Sequence, residues 1–302
     1  MRPLLLSILA GLGSCAAVER DGETEPARIR IDALREASGM AVSRQNPDLL
    51  WLANDSGSSA TLFVCNAEGQ QRGTLSIDKA KNVDWEDLAS FKLEGTAYLM
   101  IADTGDNGAS REEVALHFVA EPKLPTDGSP LDSQATPEWS IRFRYEDGPR
   151  DCEAVAVDEA AGRILLISKR DKTPRIYELP LQRPSSDEVL TAKRVGDLAA
   201  LPLPPTSRFH PFASQPTSLD IATDGSLAVI LGYRGAYAFP RRPGEGWNAA
   251  FARAPKILAD HKLTQAEALA LSPDGRTLFI TSEGRHPRLL AVPMNDSPAK
   301  EE

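Results

Sequence analysis

The sequence lacks the short motifs that mark common catalytic sites. It has no Gly-x-Ser-x-Gly nucleophile elbow, no phosphate-binding loop and no zinc-ligand spacing among its four histidines and three cysteines. Basic residues are outnumbered, with 34 Lys and Arg against 43 Asp and Glu, which gives a net charge of −9. This acidic balance argues against nucleic acid as a partner and favours cations, or ligands held through cations.

The chain also lacks an apolar run of the roughly 20 residues that a membrane-spanning helix needs. It begins instead with Arg2, an apolar run over residues 3–12 and then Leu-Gly-Ser-Cys15, which together have the form of a secretory signal. The last four residues resemble the lipobox of bacterial lipoproteins. The resemblance implies cleavage before Cys15, acylation of its thiol and, because Ala16 rather than Asp follows, the outer membrane. A plain signal peptide with a chance cysteine is the alternative.

These features divide the chain into four parts. We expect a lipoprotein signal peptide over residues 1–14, the lipidated Cys15 with a polar flexible tether over 15–27, a folded domain over 28–295 and a disordered tail over 296–302. The other two cysteines, at positions 65 and 152, fall on different repeats, so we expect buried thiols rather than a disulfide.

Five stretches of the chain can be aligned on one hairpin pattern. In its clearest copy, residues 268–271 form an apolar strand, Pro273-Asp274-Gly275 a tight turn and residues 277–281 a second strand. The residues that begin the copies are Ser38, Glu86, Glu153, Thr217 and Glu267, spaced by 48, 67, 64 and 50 residues. A period of about 40 to 65 residues holding four strands is typical of β-propeller blades.

We therefore predict an all-β chain that forms a single β-propeller of five blades, each a four-stranded antiparallel sheet. A Pro-, Ser- and Asp-rich insertion over 121–137 helps to account for the longer spacings. Residues 28–34 alternate in polarity, and we expect them to close the ring as the outer strand of the last blade, beside residues 289–294. A sixth, degenerate blade within 104–150 or 172–215 is the alternative.

The first strand of each propeller blade lines the central channel, so the five aligned residues should form one ring at its mouth. The ends of the hairpins should form a second ring above it. This second ring contains Asn54, Asp55, Asp103, Asp106, Asn107, Lys169, Arg170, Tyr233, Arg234 and Glu283.

The acidic members of these rings predict a metal site made of Glu86, Asp103, Asp106, Glu153 and Glu267. Carboxylates that converge in a narrow channel repel one another unless a cation, a proton or a basic residue lies among them. Calcium, which takes six to eight oxygen ligands, is the cation we expect. Two alternatives stay open: the glutamates bind backbone amides and staple neighbouring blades, or the aspartates at 103 and 106 form a plain network of Asx turns.

The remaining members predict a ligand site made of Lys169, Arg170, Tyr233, Arg234 and Glu283. Cations beside bound calcium suit a phosphate or carboxylate group, since guanidinium binds oxyanions in a forked geometry. Salt bridges to the neighbouring acidic residues are the equally simple alternative.

Two parts of the sequence resemble known exported proteins. Residues 267–284, with Ser-Pro-Asp-Gly at the turn, and Cys152-Glu-Ala-Val-Ala-Val-Asp158 are similar to the repeat of the esterase-like phytase and SdiA-regulated groups of secreted bacterial β-propellers. Trp85-Glu-Asp-Leu-Ala89 with Ala102-Asp-Thr-Gly-Asp-Asn107 looks like a pairing found in many exported propeller proteins. The resemblance implies a calcium-binding propeller that hydrolyses phosphate esters, although the acidic calcium clusters of established β-propeller phytases are missing.

The leading functional hypothesis is a lipoprotein on the periplasmic side of the bacterial cell envelope, anchored through its lipid in the outer membrane. It would bind calcium and a small anionic ligand or an envelope protein at the channel mouth. The alternative is a metal-dependent hydrolase, either a phosphoesterase or a lactonase-like enzyme. Catalytic residues are unknown apart from one candidate, His210, whose loop enters the fourth inner strand.

Overall fold

The structure, a computed structural model, describes residues 26–185, 187–202 and 214–294. Its strands, in chain order, are β1 (Ala27–Arg28), β2 (Ala37–Val42), β3 (Leu49–Asn54), β4 (Thr61–Asn66), β5 (Gln71–Ile77), β6 (Trp85–Leu93), β7 (Thr96–Asp103), β8 (Val114–Ala120), β9 (Leu131–Ala135), β10 (Trp139–Tyr145), β11 (Cys152–Asp158), β12 (Arg163–Ser168), β13 (Arg175–Pro180), β14 (Val189–Asp197), β15 (Pro216–Ile221), β16 (Leu227–Gly232), β17 (Gly235–Pro240), β18 (Lys256–Asp260), β19 (Ala266–Leu271), β20 (Thr277–Ser282) and β21 (Arg288–Pro293). One short helix, α1 (Trp247–Phe251), lies between β17 and β18.

Several predicted features fall outside the described residues. These are the signal peptide, Cys15, most of the tether, His210 and the tail after residue 295. Within the described ranges, no helix has the length and apolar character to cross a membrane.

The strands form an all-β, β-propeller-like fold made of five antiparallel units, each begun by one of the predicted hairpins. Units 1 to 5 start with β2, β6, β11, β15 and β19. Units 4 and 5 are separate four-stranded sheets, ordered β15-β16-β17-β18 and β19-β20-β21-β1. Units 2 and 3 merge into one eight-stranded sheet, because their outer strands β10 and β14 pair in parallel.

The first strands of the units lie side by side around the centre of the molecule. In order of contact, β2 is followed by β6, β11, β15 and β19, and β19 returns to β2. These strands are buried on both faces, which explains why they are apolar runs of mostly small residues, such as Ala-Val-Ala in β11 and Ala-Leu-Ala in β19. Larger side chains, including Trp51, Trp85 and Trp247, fill the spaces between neighbouring sheets.

Each first strand carries a register shift at the same place. The pairing steps from residue 37 to 39 in β2, from 85 to 87 in β6, from 152 to 154 in β11, from 216 to 218 in β15 and from 266 to 268 in β19, while the partner strand advances by one residue. The extra residue of each bulge is therefore one of the five aligned residues. A β-bulge redirects the side chain of its extra residue, so the repeat aims one residue per unit at the same end of the ring.

The predicted closure of the ring is present but shorter than expected. Ala27 and Arg28 pair antiparallel with Leu289 and Arg288 of the last unit. Arg30 then forms a bridge with Gln70 of the first unit instead of extending the pairing. The segment therefore crosses from unit 5 to unit 1, and its apolar residues, including the fully buried Ile29, seal the joint between them.

The insertion over 121–137 contains a strand that the sequence analysis missed. Its strand β9 leaves unit 2 and pairs in parallel with β5, as a fifth strand of unit 1. The segment is short and polar, so its hydrophobic pattern gives no strand signal.

The centre of the ring is closed below its mouth by Asp87 of β6. This carboxylate is fully buried and accepts hydrogen bonds from the backbone amides of Leu88, Val155 and Leu219, and from the hydroxyl of Ser218, at 2.9 to 3.1 Å. One side chain thereby links the first strands of units 2, 3 and 4.

The far end of the ring is crossed by Arg44, which follows β2. Its guanidinium is 2.8 Å from Glu159 of unit 3 and 3.3 Å from the hydroxyl of Thr223 of unit 4. Arg44 therefore links units 1, 3 and 4 at the end of the ring opposite the bulges.

Candidate metal centre

A cluster of five carboxylates lies at the mouth between units 1, 2 and 3. One oxygen from each of Asp55, Asp84 and Glu86 lies within 4.8 Å of the others, and the same holds for Glu86, Asp151 and Glu153. We call these five residues the mouth cluster. Glu86 belongs to both groups, so it stands at the centre of the cluster.

The repeat explains how these side chains meet. Glu86 and Glu153 are bulge residues, and Asp84 and Asp151 each precede them by two positions in the pattern Asp-x-Glu. Because β6 and β11 are neighbours in the ring, the two Asp-x-Glu pairs face each other. Asp55 comes from the end of the first hairpin, directly after β3.

Gly105 forms the floor of the cluster on the side of unit 2. A Cβ atom at this position would lie 2.3 Å from Oε1 of Glu86 and 2.5 Å from Oδ2 of Asp84. The amide of Gly105 also donates to the carbonyl of Asp84 at 3.1 Å. The absence of a side chain is therefore required here, because the backbone approaches the carboxylates directly.

The cluster is electrostatically unfavourable without a counter-ion. Burial, followed by the charge of Glu153, raises the pKa of Glu86 well above its ordinary value. Burial raises the pKa of Glu153 to about 8, against the opposing effect of Lys169. Burial and the neighbouring Asp55 raise the pKa of Asp84 to about 6. The fold therefore holds these carboxylates so close together that protons or cations must neutralise their negative charge.

Glu86 differs from its neighbours because no described residue donates a hydrogen bond to its carboxylate or pairs with it. Its side chain is nonetheless buried, with 5% of the residue exposed. Buried polar groups are nearly always paired, since an unpaired charge is costly. An unpartnered buried carboxylate that points into a group of carboxylates is a feature of a binding site rather than of a packed core.

The glutamates do not act as the blade staples that the sequence analysis kept as an alternative. Hydroxyl groups make the staples instead. Ser38 donates to the carbonyl of Trp85 at 2.7 Å, and Thr217 donates to that of Ala266 at 2.8 Å, each from one unit to the next. The bulge residue therefore has a structural role in units 1 and 4, where its side chain is a hydroxyl. In the other three units it is a glutamate, and among the described residues no backbone amide donates to that glutamate.

Two cations from the end of the third hairpin enter the mouth cluster. Lys169 is buried, its ammonium contacts Glu153, and it donates to the hydroxyl of Tyr233 at 2.8 Å. Arg170 contacts Oδ2 of Asp151 through Nε at 2.6 Å and also contacts Asn107. These contacts are the salt bridges named above as the alternative to ligand binding.

Glu267 and Glu283 form a separate acidic pair in unit 5. They share a hydrogen bond, and burial followed by that bond raises the pKa of Glu283 to about 9. Gln265 donates to Glu283 at 2.7 Å. This pair lies outside the groups that define the mouth cluster.

Asp103 and Asp106 also lie outside the mouth cluster. Asp103 pairs with Arg111 at 2.8 Å, and it accepts from the amide of Asp84. Asp106 accepts from the amides of Ser110 and Arg111, at 2.9 and 2.8 Å. Their carboxylates are thus engaged within the loop, in the manner of the Asx-turn network that the sequence left open.

The remaining predicted ligand residue, Arg234, lies half-buried after β16. Burial, with a contribution from the charge of Arg234, lowers the pKa of His261 to about 4. Tyr233 packs its ring 4.9 Å from the ammonium of Lys169.

Asp84 and Asp151 were not predicted from the sequence, and Asp55 was not predicted to be a metal ligand. A signal was available, because the position two before each bulge residue is acidic or an amide in all five units. These residues are Glu36, Asp84, Asp151, Gln215 and Gln265. The alignment began at the bulge, two residues too late to include them.

The mouth cluster could hold a metal ion. Its donors are all carboxylate oxygens, without histidine or cysteine, and such sites suit hard cations rather than zinc or copper.

Comparison with known proteins identifies no family for this chain. No protein family matches the sequence, and no curated protein matches it. Among solved structures, hydrazine synthase from Kuenenia stuttgartiensis is similar over 86% of this chain and 72% of its own, with 10% identity and a TM-score of 0.41.

Proposed function

We propose that this protein is a five-bladed β-propeller that binds a calcium ion at the mouth of its central channel. The blade count is supported by the five units with matching bulges and by the circular order of their first strands. Unit 1 has five strands because it includes β9, and each of the other units has four when β1 is counted with the last.

Calcium is supported above all by the unpartnered carboxylate of Glu86 between two groups of carboxylates. Calcium accepts six to eight oxygen ligands at about 2.3 to 2.6 Å, in flexible geometry. Asp55, Asp84, Glu86, Asp151 and Glu153 would hold the ion, replacing the protons that the cluster otherwise needs. Of the metal ligands expected from the sequence, this proposal keeps Glu86 and Glu153.

The function proposed for the site is binding, of calcium together with a small anionic ligand or a protein partner, in the bacterial cell envelope. A site at the mouth is supported by the position of the mouth cluster, because Asp87 below it and Arg44 at the far end make contacts that link the units across the ring. Anchoring through Cys15 is part of the proposal and rests on the N-terminal sequence alone.

A calcium-dependent phosphoesterase or lactonase-like hydrolase is the alternative proposal. It would use calcium in the mouth cluster to activate water or a carbonyl group. It requires the same ion, so calcium binding is tested first and phosphate esters and lactones are screened afterwards.

The test is calorimetric titration of calcium into the chelator-treated full chain and into Glu86→Gln. We expect micromolar binding by the natural protein and at least tenfold weaker binding by the variant, because calcium-site affinity depends on ligand charge. The control is Glu112→Gln, which removes an exposed glutamate and should bind calcium like the natural protein. Absence of binding by the natural protein would overturn the proposal and the hydrolase alternative with it.

A further inference from the structure

Two cationic side chains of the protein already contact carboxylates of the proposed calcium site. Lys169 contacts Glu153, and Arg170 contacts Asp151 at 2.6 Å. Both of these carboxylates belong to the group that also contains Glu86. The three carboxylates therefore face two internal positive charges before any ion enters.

The backbone holds both cations in the mouth. Arg170 adopts a left-handed conformation with φ of +66°, and its amide donates to the side chain of Gln215 at 2.8 Å. Lys169 is only 4% exposed and is held by the hydroxyl and the ring of Tyr233. Lys169 is thus a buried part of the site, whereas Arg170 is exposed and is held there by its contacts with Asp151 and Asn107.

Lys169 contacts Oε2 of Glu153 and Arg170 contacts Oδ2 of Asp151. A divalent ion that takes these two oxygens must displace the ammonium and the guanidinium from them. The displaced cations would then lie beside the metal without their carboxylate partners, and for the buried Lys169 the loss of a counter-charge is strongly unfavourable. If all three carboxylates are ionised, the two added positive charges change the net charge of the three carboxylates and two cations from about −1 to about +1, by Coulombic accounting.

We infer that calcium exchanges with Lys169 and Arg170 in the mouth cluster, and that the displaced cations then form a subsite for an oxyanion. Calcium and the oxyanion therefore bind cooperatively. Ammonium and guanidinium groups bind carboxylate, sulfate or phosphate oxygens through charged hydrogen bonds, and the hydroxyl of Tyr233 lies within reach of the same place. This inference rests on the proposed calcium site and adds the linkage between its two ligands.

The test measures calcium affinity with and without sulfate, a probe that stays dissolved beside calcium at the concentrations needed. In the natural protein, sulfate should tighten calcium binding about fivefold or more, and calcium should tighten sulfate binding by the same factor. In Lys169→Met, calcium should bind more tightly than in the natural protein without sulfate, because its internal competitor is gone. The effect of sulfate should disappear, because half of the subsite is gone.

The control is Lys193→Met, which removes an exposed lysine paired with Glu146 at 3.5 Å. It should keep the sulfate effect of the natural protein. Because Lys169→Met leaves Glu153 unpaired, Tyr233→Phe provides a second variant that keeps the ion pair. It should weaken the sulfate effect by loosening Lys169 and removing a hydroxyl donor.

The outcomes separate the two proposals. If the natural protein binds calcium but sulfate does not change its affinity, the exchange is refuted while the calcium site stands. The exchange is also refuted if Lys169→Met, or Tyr233→Phe should the first variant not fold, keeps the full sulfate effect. If neither the natural protein nor a variant binds calcium, the proposed function fails and the exchange fails with it.

Discussion

Glu86 and Asp87 are adjacent residues of one strand, both are buried, and their surroundings are opposite. Asp87 accepts four hydrogen bonds from units 2, 3 and 4. Glu86 receives none from the described residues and faces four other carboxylates. Burial raises the pKa of both groups. The charges of neighbouring carboxylates, first that of Glu153, raise the pKa of Glu86 further, whereas three backbone amides and Ser218 lower that of Asp87.

The difference separates a structural carboxylate from a binding one. Four donors around Asp87 replace part of the water that it loses on folding, and they oppose the effect of burial on its pKa. No described residue donates to Glu86, so a proton, water or an incoming cation has to take that place. The register shift at residue 86 produces this contrast, because it turns one side chain to the mouth and leaves the next one in the centre.

The largest effect on stability should come from Asp87→Asn. One amide oxygen cannot replace two carboxylate oxygens, and the amide NH2 group would face backbone donors. We expect the free energy of unfolding to fall by about 3 kcal/mol or more, measured by urea denaturation without calcium. Asp220→Asn is the matched control. Asp220 accepts only two backbone hydrogen bonds, so its substitution should lower the free energy of unfolding by less. Equal stability of Asp87→Asn and the natural protein would contradict a structural role.

The second effect is a loss of stability of the calcium-free protein as pH rises. Folding raises the pKa of Glu153 from its ordinary value of 4.5 to about 8, and that of Asp84 from 3.8 to about 6. A carboxyl with a raised pKa stabilises the fold while protonated, below its unfolded pKa, and this contribution is lost as pH rises through the folded value. The contribution should therefore decline between about pH 4 and pH 8.

The measurement is urea denaturation across that pH range, with chelator and then with calcium. Calcium should reduce the decline, because it replaces the lost protons. The triple variant Glu86→Gln, Glu153→Gln and Asp84→Asn should show a flatter pH profile in chelator. If the natural protein instead gains stability over this pH range in chelator, the mouth cluster does not dominate the pH dependence of its stability.

The smallest effect on stability should come from Glu86→Gln in the absence of calcium. The substitution removes a buried group that no described residue stabilises, so we expect the free energy of unfolding to change by less than about 1 kcal/mol, or to increase. The measurement is urea denaturation at pH 7 in chelator, beside Asp87→Asn. A loss comparable to that of Asp87→Asn would mean that both adjacent carboxylates are structural.

The sequence was sufficient to predict the repeat but not the pairing within the mouth. Ser38, Glu86, Glu153, Thr217 and Glu267 were aligned from hydrophobic pattern and turns. The structure shows that each is the extra residue of a bulge, which the sequence did not predict. The closing partner of the N-terminal segment was also predicted correctly. These features follow from local patterns that recur in every unit.

The composition of the acidic cluster depended on contacts that no local pattern reveals. Asp103 and Asp106 had the composition of a metal loop, yet Arg111, a few residues further on, folds back to engage both. Asp84 and Asp151 meet only because β6 and β11 are neighbours. Which cation faces which carboxylate is decided by the distance between hairpin ends, and spacing along the chain does not give that distance.

The parallel pairing of β10 with β14 joins units 2 and 3 more strongly than units 5 and 1 are joined. Units 2 and 3, which supply Asp84, Glu86, Asp151 and Glu153, are joined at their outer edges as well as at the centre. The joint between units 5 and 1 has a two-residue pair and one bridge. In hydrogen exchange, the amides of β10 and β14 should exchange together and late, while those of the pair between β1 and β21 should exchange early. Four of the five carboxylates of the mouth cluster thus come from the two units that are also joined at their outer edges.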